Sequence, residues 1–149
     1  EGQAAIRLQQ AALESACSVA DFHQYPLYPF TLKNIDGICI ADTKPLLAVL
    51  ADERLSEKPC NDIAWHFHNT LAAMAAEMAL LACHETRLAT VALSGGVFQN
   101  DLFFTLTRKR LEEHGLNVIG HHQTPCNDGG IAYGQAIIAA NQLRGRDNA

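Results

Sequence analysis

The chain has 149 residues, 48% of them hydrophobic and 18% charged, a balance that suits one globular domain with its own core and excludes a disordered chain. Its formal net charge is -5 and no basic cluster interrupts it, which excludes the electrostatic footprint of a nucleic-acid binder. The five cysteines, Cys17, Cys39, Cys60, Cys83 and Cys126, are odd in number, widely spaced and never C-x-x-C, so they read as reduced thiols and not as a disulfide framework or a zinc ribbon.

The first residues, Glu1-Gly2-Gln3-Ala4-Ala5, enter a helical pattern with neither an initiator methionine nor a capping lead-in, the look of a segment cut from something longer. Apolar positions at Ile6, Leu8, Ala12, Leu13, Ala16 and Val19 predict a first helix from Gln3 to about Val19. Tyr25-Pro26-Leu27-Tyr28-Pro29 stops it, because proline has no N–H and forces its predecessor into extended backbone. Phe30 to Lys33 and Ile35 to Ala41 then read as a hairpin turning near Asn34, Asp36 and Gly37, followed by a short helix over Lys44 to Leu50 with Pro45 in its first turn.

A long helix follows, capped by Asn61 or Asp62 and running to about Glu85. Ile63, Phe67, Leu71, Met74, Met78 and Leu81 form its predicted core stripe, beside a face of small residues, Ala64, Ala72, Ala75 and Ala79, with His68 among them. His68 on that face reads as a helix-interface histidine, and His66 as a solvent-facing one. The apolar stretch from Leu71 to Cys83 is broken by Glu77 and falls short of a membrane span; with no signal peptide at the start, a cytoplasmic location is expected.

Val91-Ala92-Leu93-Ser94-Gly95-Gly96-Val97-Phe98-Gln99-Asn100 is an apolar run that stops at a double glycine and restarts as an amphipathic helix, with Asn100 or Asp101 as cap and Gly115 as its C-terminal stop. Leu116 to Gly120 is the next strand. The turn Gln123 to Gly130 leads into a last helix from Ile131 to about Leu143, and Arg144 to Ala149 is read as a frayed tail. Strand, helix, strand, helix makes a βαβ unit, so the fold class is α/β with a mixed sheet and flanking helices, in a single domain over 1–149.

Two glycine turns, Ser94-Gly95-Gly96 and Asn127-Asp128-Gly129-Gly130, therefore end consecutive strands, each just before a helix. Helix amino termini carry free N–H groups and a positive dipole end, and ligands of open sheets bind outside the carboxyl ends of strands, so the two turns can line one anion site. Asp128 is either an ordinary helix cap, the commoner use of such a residue, or a carboxylate for a metal ion. Asn100 is likewise a cap or an amide contact to a nucleotide, and Phe98 a packing residue. Adjacent strand residues point to opposite faces, so His121 and His122 do not make a metal-binding pair.

Glu1 to Ala5, Asp36-Gly37, Pro45-Leu46-Leu47, Phe67-His68 with Thr70-Leu71-Ala72, Ser94 to Asn100, and Asn127 to Gly130 with Gly134-Gln135-Ala136 occur in one order. Together they resemble the carboxy-terminal region of the HypF-type carbamoyltransferases that mature [NiFe] hydrogenases, a resemblance that covers nearly the whole chain. It implies a distant relation to the universal tRNA threonylcarbamoyl transferase subunit. The implied fold is the second lobe of an actin-like, sugar-kinase-like ATPase. The implied chemistry is ATP-dependent conversion of carbamoyl phosphate into a carbamoyl adenylate, followed by transfer of the carbamoyl group to the C-terminal cysteine of a partner protein, HypE, on the way to a cyanide ligand of iron. By position, Asp128 is implied as a ligand of a divalent ion, whether zinc, iron or magnesium, with the histidine ligands upstream of Glu1. Gly95, Gly96, Gly129 and Asn100 are implied as nucleotide contacts, and Glu1 and Gly2 as contacts on the ribose side. Asp101, where the pattern suggests a basic residue, and Cys126, where it suggests proline, depart from it. No residue of the segment is assigned to catalysis, and the segment alone is expected to be inactive. The other readings are the ATP-binding lobe of a sugar or acyl kinase and a non-catalytic scaffold that docks a partner through the alanine face.

Overall fold

A computed structural model describes residues 2–146. Helix α1 spans Gln3–Leu13, the hairpin is β1 (Thr31–Ile35) and β2 (Ile38–Asp42), and α2 covers Lys44–Leu55. Helix α3 runs over Cys60–Thr86, and the second half is β3 (Thr90–Leu93), α4 (Asp101–Glu113), β4 (Asn117–Gly120) and α5 (Ile131–Arg146). The class is mixed α/β with small sheets and flanking helices. The antiparallel and parallel pairings predicted for one mixed sheet are both present but separate: β1 pairs only with β2, and β3 only with β4, among the described residues.

The hairpin closes at Asp36 (φ 53) and Gly37 (φ 81), the two positive-φ positions of a type I′ turn, with the Gly37 N–H donating to Asn34 Oδ1 at 2.9 Å. Helix α1 ends six residues earlier than its periodicity suggests. Beyond it Ser15 Oγ donates to Asp62 Oδ1 at 2.7 Å, drawing the chain toward the start of α3 while Cys17 and Val19 still pack on the core. Asn61 and Asp62 thus lie inside α3, whose first residue is Cys60, and neither is its cap. The last helix continues through Arg146, past the predicted end at Leu143; the remainder of the supposed tail, 147–149, lies outside the described residues.

The 27-residue helix α3 is the spine, flanked by α1 and α4. Its buried positions are mostly the small and polar ones, Ala64, His68, Asn69, Thr70, Ala72, Ala73 and Ala76; of the expected stripe Met74 is buried, Ile63, Phe67, Leu71 and Met78 are only half-buried and Leu81 is exposed. Small side chains let α1 and α4 approach the α3 backbone, so Trp65, Phe22, Leu102, Phe103 and Leu106 fill the space around it. His66, expected at the surface, is buried beside Tyr25, Tyr28 and Trp65. No helix among the described residues is long and apolar enough to cross a membrane.

Candidate functional site

Strands β3 and β4 are parallel and in register, Leu93 opposite Gly120, so both chains leave the sheet on the same edge. The Gly95 N–H donates to the Cys126 carbonyl at 2.9 Å, and a Cβ at Gly96 would stand 4.0 Å from the Asn127 Cβ. The two glycine turns therefore meet directly, as their positions at consecutive strand ends predicted. Gly95 sits at φ 102, ψ 158, a conformation that only glycine holds without strain, and a Cβ at Gly130 would come within 2.6 Å of the Pro125 carbonyl oxygen.

The next residues pair across the same edge. His121 Nε2 is 2.8 Å from Ser94 Oγ and its Nδ1 is 3.3 Å from Thr124 Oγ1, so one imidazole links the first turn to the second. His122 is exposed beside it. Phe98 stacks on Phe103 and meets Phe104 edge-on, a packing residue as expected.

Asn100 is the cap of α4: its Oδ1 accepts from the Phe103 N–H at 3.0 Å. Its Nδ2 lies 2.7 Å from Nε2 of His68, whose Nδ1 is 2.7 Å from the Ala64 carbonyl. A carbonyl only accepts, so Nδ1 carries the proton and the bare Nε2 accepts from the Asn100 amide. Burial pushes the His68 pKa down, with the Ala64 carbonyl acting in the opposite sense, and the neutral ring fits this pattern.

Gly2, Gly96 and Asn100 line one groove of about 210 Å³ together with Ala5, Ile6, Gln9, Val97 and Gln99. Three candidate contacts from two segments far apart in sequence, Gly2 on one and Gly96 and Asn100 on the other, thus share one depression; Glu1, also a candidate, lies outside the described residues. Gly129 sits across the joined turns, its N–H donating to Asn127 Oδ1 at 3.0 Å. That bond makes Asn127, and not Asp128, the cap of the second turn. Asp128 is exposed, and no described residue hydrogen-bonds its carboxylate.

No group of three His, Cys, Asp or Glu side chains among the described residues is placed to hold a metal ion. One exposed carboxylate does not by itself fit a resident divalent ion, which takes several oxygen or nitrogen ligands. The residues that sequence reasoning missed are those linking segments: the His68 to Asn100 bond, the Ser94–His121–Thr124 link, and Asn69 and Thr70 on α3. Asn69 Oδ1 accepts from Arg110 Nη2 at 2.7 Å, and Thr70 Oγ1 accepts from the Tyr28 N–H at 2.9 Å. Asparagine and threonine inside a helix were the available signal, since both disfavour a helix interior without a tertiary partner.

Residues 1–135 match the family model described as the carbamoyltransferase Kae1-like domain, second subdomain. The chain is 35% identical to a carbamoyltransferase HypF of Rhodobacter capsulatus over 146 residues, covering 96% of this chain and 17% of that protein. A carbamoyltransferase HypF of Synechocystis is 32% identical over 97% of this chain, again 17% of its own length. A crystal structure of full-length HypF in a phosphate- and nucleotide-bound form superposes with a TM-score of 0.80 at 31% identity, over 96% of this chain and 18% of that one. The HypF of T. kodakarensis gives 0.73 at 25% identity. The chain belongs to the HypF carbamoyltransferase family and corresponds to the second subdomain of its Kae1-like domain.

Proposed function

We propose that this segment is the nucleotide-binding lobe of a carbamoyltransferase that uses ATP and carbamoyl phosphate to make a carbamoyl adenylate and carbamoylates the C-terminal cysteine of HypE. The observation that carries the reading is the junction of the two glycine turns beside the groove of Gly2, Gly96 and Asn100. A similar structure was crystallised with phosphate and nucleotide, which supports nucleotide as the occupant. The amino end of α4 places its positive dipole end at this junction, where it stabilises the phosphate of the adenylate as negative charge builds on the leaving AMP. The acceptor thiolate attacks the carbamoyl carbon, a C–S bond forms, and the bond to the phosphate oxygen breaks. Asp128 is read as a carboxylate ligand of a divalent-ion site whose histidine ligands lie upstream of Glu1; no step of the transfer is assigned to the ion.

Gly96→Val tests the groove cleanly. Its first added carbon meets only Asn127 Cβ, at an ordinary 4.0 Å, and Gly96 lines the groove, so added bulk at this position competes with a ligand there. Equilibrium titration of the full-length protein with ATP should show the dissociation constant raised by about tenfold or more, roughly 1.4 kcal/mol. Unchanged affinity would remove the groove from the nucleotide site.

A further inference from the structure

The buried chain from α3 to the glycine turn is more specific than capping requires. Asn100 needs only its Oδ1 to cap α4, and serine or aspartate would cap as well. Here the amide is held at its other end too, by a histidine that is 3% exposed and itself anchored to the Ala64 carbonyl. The two bonds on Asn100 agree in sense: the Phe103 N–H demands an oxygen, and the bare His68 Nε2 demands an N–H. With one Nδ2 hydrogen used, the amide keeps a second N–H, and Asn100 lines the groove.

Resting on the nucleotide reading above, we propose that His68 is a positioning residue for the nucleotide: by accepting from Asn100 Nδ2 it locks the amide so that the groove offers a hydrogen-bond donor to an acceptor oxygen of the ligand. Without His68 the amide is pinned only at its oxygen, and the Nδ2 group has no fixed partner. The neutral ring, favoured by burial, is the form that can accept.

The full-length protein is assayed as His68→Leu, which keeps bulk but has no acceptor, and His68→Gln, which restores an acceptor oxygen, with ATP affinity and melting temperature measured for each. His68→Leu should weaken ATP binding about three- to tenfold, the worth of one neutral hydrogen bond, with kcat at saturating ATP within about twofold of wild type. His68→Gln should recover most of that affinity even where its melting temperature is no higher. Asn100→Ser, which keeps a cap but cannot reach His68, should show the same loss, and adding His68→Leu to it should cause no further loss. Wild-type ATP affinity in His68→Leu, equal loss in both histidine variants tracking melting temperature, or additive losses in the double variant would overturn the positioning role while leaving the nucleotide reading intact. Failure of the wild-type protein to bind ATP would overturn both.

Discussion

Asn100 joins two elements through one amide, and its removal should be felt as stability as well as binding. Asn100→Ala deletes the α4 cap, about 1 kcal/mol, and leaves His68 Nε2 buried without a donor, about 1–3 kcal/mol more. Urea unfolding should therefore place its destabilisation above that of Asn100→Ser, which keeps the cap but also loses the His68 bond; equal values would mean that the cap adds nothing to stability. His68 also sets a pH dependence. Its folded pKa is pushed below the ordinary 6.5, so the unfolded chain binds more protons at acidic pH, and stability is complete above that value and falls as pH drops through the window beneath it. Buried His66 is shifted the same way, chiefly by desolvation with Lys58 adding to it, and adds to the same slope. The urea midpoint measured from pH 7.5 down to 5 should fall less in His68→Gln than in wild type; parallel curves would refute the assignment. At this scale the sequence showed the Asn100 cap and the glycine turns, because backbone chemistry alone asks for them, but it put a cap at Asn61 or Asp62, which lie inside α3, and weighed one at Asp128 where Asn127 serves. It hid the long-range partners: nothing in a linear chain places position 68 against position 100, or 94 against 121. His66 was misread because a histidine beside a small-residue face carries no mark of the aromatic pocket that Tyr25, Tyr28 and Trp65 build around it.

The elements were legible wherever punctuation was strong. Asp36-Gly37 announced the hairpin, Pro45 the start of α2, and Gly115, at φ 77, the end of α4. Helix α1 was overextended because Cys17 and Val19 keep apolar spacing after the backbone has left the helix, held by the core and by Ser15 on Asp62. On α3 the small-residue face holds, with Ala64, His68 and Ala72 buried, whereas the aliphatic stripe beside it buries only Met74 fully. Hydrophobicity picks out large aliphatic residues, but a spine with helices on two sides buries its smallest ones, where backbones come close. It follows that α4 and α3 are coupled tightly. Leu106→Ala, at a position with no exposed surface, should cost about 2–5 kcal/mol in chemical denaturation, and a cost below 1 kcal/mol would contradict the packing described. Because α4 also begins at the glycine turn, the same variant should loosen the Asn100 end before the hairpin end, which hydrogen exchange resolves as earlier opening near residue 100.

For the whole molecule, class and the meeting of the two glycine turns were readable in the chain, whereas the division into two small sheets was not, since pairing partners are a tertiary choice. Family membership places this segment among longer carbamoyltransferases, of which it spans 17% in the Rhodobacter capsulatus relative and 35% in a shorter homolog. In this segment α3 and α4 present the two joined turns and the Asn100 amide, bonded at both ends, with the Asp128 carboxylate exposed beside them. The carboxylate is the feature with least structural work to do, since Asn127 caps the second turn in its place. Transfer of labelled carbamoyl from carbamoyl phosphate to the C-terminal cysteine of HypE by the full-length protein, wild type against Asp128→Ala, is therefore the most direct test of this site. Transfer is expected in the wild type, with loss in a variant whose melting temperature is unchanged. Transfer at the wild-type rate in Asp128→Ala would contradict the assignment of the carboxylate to the site.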